Sequence, residues 1–217
     1  MNMKKITIGV VILIGLSVSR IVQAQGTAYL SNLDQTPSGG LPIGSDSWYA
    51  AMFITGTNSS GYMFDSFQAG MADASGSSSN FTAMIYSALT GGGVFPGNNL
   101  CTLDASTNPM SAGIYTFTAV SNLMLLPSTT YFVVLTGGTT VAEGAYNWNY
   151  VGTYAYSQEG GWRTFANAFN SGNGSFWNSI SSTDTQFAIN ATPIPEPGIL
   201  GLLGLSGLAF LWRRWKL

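Results

Sequence analysis

Apolar positions along this chain fall into three regimes. Residues 6–18 form one unbroken apolar run and residues 198–212 form another. Between them lie short apolar bursts separated by polar and glycine-rich punctuation. The bursts at 114–120 (IYTFTAV) and 131–136 (YFVVLT) are rich in β-branched and aromatic residues, the composition of strands. Residues 48–55 (WYAAMFIT), 62–71 (YMFDSFQAGM), 81–88 (FTAMIYSA), 146–156 (YNWNYVGTYAY) and 186–191 read the same way. A period of two places Met63, Asp65, Phe67 and Ala69 on one face, and Tyr146, Trp148 and Tyr150 on another. Turn signals fall at 91–93, 96–99, 127–128, 137–138, 160–161 and 171–174. No segment sustains a 3.6-residue apolar period with helix caps. Seven or more short strands with glycine turns predict an all-β domain over residues 25–191, a single jelly-roll-like β-sandwich.

The two end runs read as transport signals. Lys4 and Lys5 precede an apolar stretch at 6–18 that is short of the roughly 20 residues a membrane span needs. Val22-Gln23-Ala24 sets compact residues at the −3 and −1 positions, which predicts a signal peptide over 1–24 cut between Ala24 and Gln25. An uncleaved N-terminal anchor is the competing reading. At the other end, Pro193, Pro195 and Pro197 exclude a helix or a central strand, so 192–197 reads as an extended linker. Residues 198–212 carry no charge and predict a short transmembrane helix, about 22 Å long against a hydrocarbon core of about 30 Å. Arg213, Arg214 and Lys216 form a basic end at 213–217 that stays cytoplasmic under the positive-inside rule, leaving the domain outside. Glycines at 198, 201, 204 and 207 repeat every third residue, which is not the GxxxG pairing motif and predicts an easily unwound helix.

Charge narrows the function. Charged residues are 7% of the chain, far below the usual share of about 25%, while aromatic residues are 13%. The aromatic and apolar content is that of a folded chain, not a disordered one. Arg163 is the one base between residues 25 and 192, against eight acids, a formal charge of −7. Such a surface repels phosphate backbones, so nucleic acid is excluded as a partner.

Candidate chemistry is sparse. The chain has no histidine and one cysteine, Cys101. A Ser-His-Asp triad is therefore impossible and zinc is disfavoured. Asp73 and Asp104 lie in loop-like sequence but do not follow calcium-loop spacing, so no metal or cofactor is expected. The eight acids single out no catalytic pair, and the expectation is a non-enzyme. Aromatic residues cluster at 146–177, and Trp148, Tyr150, Trp162 and Trp177 are the candidates for stacking on sugar rings, with Tyr154, Tyr156 and Phe176 nearby. Burial of that cluster would favour a structural protein, and two coplanar rings on an open sheet face would favour a lectin.

Pro195-Glu196-Pro197, a Gly/Leu-rich span and the terminal Arg213-Arg214 together resemble the PEP-CTERM sorting signal. The resemblance covers 193–217. It implies recognition by an exosortase, a multipass membrane enzyme with a thiol protease-like site, with the secretion machinery as earlier partner. It also implies membrane anchoring in transit and delivery to the surface or matrix of a Gram-negative-type bacterium that makes exopolysaccharide. Ser31-Asn32-Leu33, residues 43–48 (IGSDSW) and residues 125–135 (LLPSTTYFVVL) are similar to choice-of-anchor β-domains of the R type. That likeness implies a surface protein and no reaction. The resulting expectation is a structural or adhesive envelope protein. A glycan-binding module is the alternative, and a small carbohydrate-active hydrolase the more distant one.

Overall fold

The computed structural model describes residues 26–89, 94–152, 155–165, 167–181 and 183–196. The predicted signal peptide, its cleavage site at Ala24 and Gln25, and the tail from Pro197 through Arg213 and Arg214 lie outside the described residues. Every regular element among the described residues is a strand. None of them forms a helix long and apolar enough to cross a membrane.

The strands in chain order are β1 (Thr27–Ser31), β2 (Gly39–Ile43), β3 (Trp48–Ile54), β4 (Tyr62–Ala72), β5 (Thr82–Ala88), β6 (Pro96–Asp104), β7 (Gly113–Ala119) and β8 (Met124–Leu125). They continue as β9 (Thr130–Thr136), β10 (Tyr146–Val151), β11 (Ser157–Gln158), β12 (Asn167–Ser171), β13 (Asn178–Ser181), β14 (Asp184–Thr185) and β15 (Phe187–Pro193). They form one hydrogen-bonded sheet whose main path is β11-β1-β15-β4-β7-β6-β5-β9-β3-β12-β13. Strands β8 and β10 attach to β4, and β10 carries β2 and β14.

The path narrows at one seam. Strands β6 and β7 share only the pairs Leu103↔Ala119 and Asp104↔Thr118. Residues from both sides of this seam nevertheless meet in one core. Phe64 and Phe67 of β4 and Ile189 of β15 belong to the same buried cluster as Phe53 of β3, Ile85 of β5 and Val133 of β9. Strands far apart along the hydrogen-bonded path can share a core only if the sheet folds over on itself. Aromatic rings fill the space between: Phe67 stacks on Phe117 at 5.6 Å, and Phe81 meets Tyr146 edge-on at 5.0 Å. Such pairs add to area burial.

The middle of the second half of the sheet is buried on both faces. In β3, Tyr49, Ala51 and Phe53 face the main core, while Ala50 and Met52 join a separate cluster with Met84, Phe132, Val134 and Phe169. Trp48, Tyr86, Phe95 and Trp177 cover that outer cluster. An unbroken apolar run, rather than alternation, is what a strand buried on both faces requires.

The predicted strands lie where expected, except that the strand read over 146–156 ends at Val151. Two expectations change. Residues 96–99, read as a turn, begin β6; Pro96 takes the first position of the strand, where its missing N–H costs no interior ladder bond. The register shifts between Ile85, Tyr86 and Ala88 absorb the irregularity. Residues 192–193, read as linker, are the end of β15, where Thr192 pairs with Met63 and Pro193 with Tyr62. On its other side β15 pairs with β1 no further than Ala191↔Thr27, so Pro193 occupies an edge position that a proline tolerates.

Candidate functional site

The start of the sorting tail is built onto the domain. After Pro193, the Ile194 N–H donates to the Gly61 carbonyl at 3.0 Å. Asn58 Nδ2 donates to the carbonyls of Ile194 (3.0 Å) and Gly61 (2.9 Å). Glu196 Oε1 accepts from the Ser59 hydroxyl at 2.9 Å and from the Ser59 N–H at 3.2 Å. Asn58, Ser59 and Gly61 belong to the turn between β3 and β4. Gly61 has φ +80, and a Cβ there would stand 2.6 Å from the Leu125 carbonyl oxygen, so the turn needs glycine at this position.

A cleft of about 480 Å³ opens beside the tail, lined by Tyr29, Asn58, Tyr62, Gly160 and residues 193–196. Tyr29 stacks on Trp162 at 4.8 Å and meets Tyr62 edge-on at 5.3 Å, which fixes the cleft wall. Burial raises the Tyr29 hydroxyl above its ordinary pKa, and the nearby Tyr62 and Asp65 push the same way. Thr192 Oγ1 donates to Asp65 Oδ2 at 2.8 Å, tying the final strand to β4.

The four ring candidates are not brought together. Trp148 is 0% exposed and Trp162 1%, so neither offers an open face to a sugar. The pleat explains Trp148: it shares a face with Tyr146, also 0% exposed, and that face turns inward. Its Nε1 donates to the Gln186 carbonyl at 2.9 Å. Trp162 lies parallel to Phe53, 5.9 Å away, inside the main core. Tyr150 is half-buried on β10, where it pairs with Gly39. Trp177 is half-buried against the outer cluster. Tyr156 donates its hydroxyl to the Thr185 carbonyl, and Phe176 is exposed. Cys101 is buried.

Three of the carboxylates brace loops. Asp46 Oδ1 accepts the Val141 N–H at 2.8 Å, and Asp73 Oδ1 accepts the Ala112 N–H at 2.8 Å. Glu143 Oε2 accepts the Thr140 hydroxyl at 3.1 Å. Asp184 differs: it is 5% exposed, its Oδ1 lacks a hydrogen-bond partner, and burial raises its pKa. Beside it, Gln186 bridges Asn149 and the carbonyls of Leu33 and Gln35, a structural network. No group of His, Cys, Asp and Glu suited to a metal ion occurs among the described residues.

Sequence reasoning found the tripeptide but not its seat. Asn58 and Ser59 carry no signal in the sequence beyond their polarity.

No curated protein and no solved structure matches the chain. The family description "PEP-CTERM protein-sorting motif" matches residues 193–214, from the end of β15 to Arg214. The chain therefore carries the sorting signal of an exported protein that passes through the membrane, is processed by an exosortase and ends at the cell surface.

Proposed function

We propose that the domain is a non-enzymatic structural or adhesive component of the bacterial envelope or extracellular matrix, built as a jelly-roll-like sandwich of the choice-of-anchor kind. The observation that supports this reading is the use of the polar and aromatic side chains. Asp46, Asp73 and Glu143 hold loops in place, and Trp148 and Trp162 fill the core. These groups serve cohesion of the fold. Contact with exopolysaccharide falls to half-exposed rings such as Tyr150 and Trp177 at its surface.

The test separates structure from catalysis. Deleting the gene should weaken cohesion of the producing cells' surface layer, measured as resistance to shear. Re-expression with Asp46→Asn, Asp73→Asn and Glu143→Gln should restore it, because an amide oxygen still accepts the same hydrogen bonds. Restoration by the wild-type chain but not by this well-folded variant would overturn the reading in favour of carboxylate chemistry.

A further inference from the structure

The tail segment alternates locked and free residues. Pro193, Pro195 and Pro197 have φ fixed by their rings. Ile194 and Glu196 are the residues between them, each already restricted by the proline that follows. The turn between β3 and β4 ties down these two positions. Gly61 and Asn58 hold the backbone of Ile194, and Ser59 holds the side chain of Glu196. What the prolines leave free, the domain fixes.

The apolar run begins at residue 198, two positions past Glu196. Two residues span at most about 7 Å. An enzyme gripping the tripeptide at the membrane must therefore touch the domain as well, and the cleft bounded by Tyr29, Tyr62 and Gly160 lies against that segment.

We propose that Asn58 and Ser59 are positioning residues for the sorting reaction: they hold Ile194 and Glu196 in one arrangement on the domain surface, and the exosortase reads the start of the motif and the domain together. A preset segment loses less conformational freedom on binding than a loose one, so the benefit appears in substrate affinity. The chemical step, carried by the enzyme, is untouched.

The experiment uses full-length chain incubated with membranes from the producing cells, with tail processing followed by mass spectrometry. The Asn58→Ala, Ser59→Ala double variant should show a KM raised about three- to tenfold with kcat unchanged, the size expected for losing the Asn58 bond to the Ile194 carbonyl and the Ser59 hydroxyl bond to the Glu196 carboxylate at an exposed site. Ser59→Thr, which keeps the hydroxyl, should behave as wild type. A six-residue Gly/Ser spacer between Thr192 and Pro193 leaves turn and tripeptide intact but separates them, and should raise KM to the same extent. A melting temperature within a few degrees of wild type confirms that each variant is folded. Spacer chain and double variant processed at the wild-type KM, or faster, would overturn the inference while leaving the sorting assignment standing. A wild-type chain that these membranes do not process overturns both.

Discussion

At the scale of single residues, Asp184 is, among the described residues, a carboxyl whose surroundings fit its charge poorly. It sits at the start of β14, 5% exposed, with Oδ1 unpartnered. Burial favours the neutral acid and raises the pKa from its ordinary value of 3.8. For an acid raised on folding, the folded state binds a proton more tightly than the unfolded one. Stability is then full below the unfolded pKa, falls as pH rises through the raised folded value, and is constant above it. Each unit of displacement is worth about 1.4 kcal/mol. Asp184→Asn removes this fall, so its melting temperature should change less than that of wild type between pH 3 and pH 7. Identical pH profiles for the two proteins would show that the carboxyl is ionised without cost. Nothing in the sequence marked Asp184, because an isolated acid in a polar stretch reads as a surface residue. The same limit governs Trp148 and Trp162. The period of two correctly grouped Tyr146 with Trp148, but pleating says which residues share a face and not which face is inward.

At the scale of elements, legibility followed apolar content. Strands β3, β4, β5, β7 and β9 were readable because aromatic and β-branched residues concentrate there. Strands β2 (GGLPI) and β12 (NAFNS) were not, since glycine, proline and asparagine disfavour strands in isolation. They form because established neighbours template them: β2 on β10, β12 on β3. The continuous burial of β9 was written in YFVVLT, an unbroken run that demands cover on both sides. Phe132 tests the outer layer. It is 0% exposed, meets Phe169 edge-on at 5.3 Å, and lies on the face away from the main core. If that layer is a true second core, Phe132→Ala should cost about 3–5 kcal/mol in urea unfolding, as for a ring lost from any tight interior. Phe176→Ala, at a residue 84% exposed, should change stability by less than about 0.5 kcal/mol. Near-equal effects would mean that the outer cluster is loosely packed.

At the scale of the whole molecule, the sorting motif was the most legible part, because it acts through composition and order rather than through a fold. Its place beside the domain was not legible. Thr27 pairs with Ala191, and Gly26 lies against Asp65, so the first described residues emerge beside the sorting tail. Strand β4 runs 11 residues from Tyr62, opposite Pro193, to Ala72, a rise of about 33 Å. Beyond its far end, Ala74 accepts company from the 105–112 loop, its N–H donating to the Met110 carbonyl. That loop is exposed at Ser106 and Thr107 and is anchored, through Met110, beyond the end of β4 that lies away from Pro193. A compact folded tag inserted between Ser106 and Thr107 should leave tail processing at the wild-type rate. The same tag placed between Gln25 and Gly26 sits at the membrane-facing end, crowds the approach to Glu196, and should slow processing several-fold. Both chains keep residues 1–25 and 193–217 unchanged, so they differ only in where the tag sits. Equal rates would mean that the exosortase reaches the tripeptide from a side that the first strand does not guard.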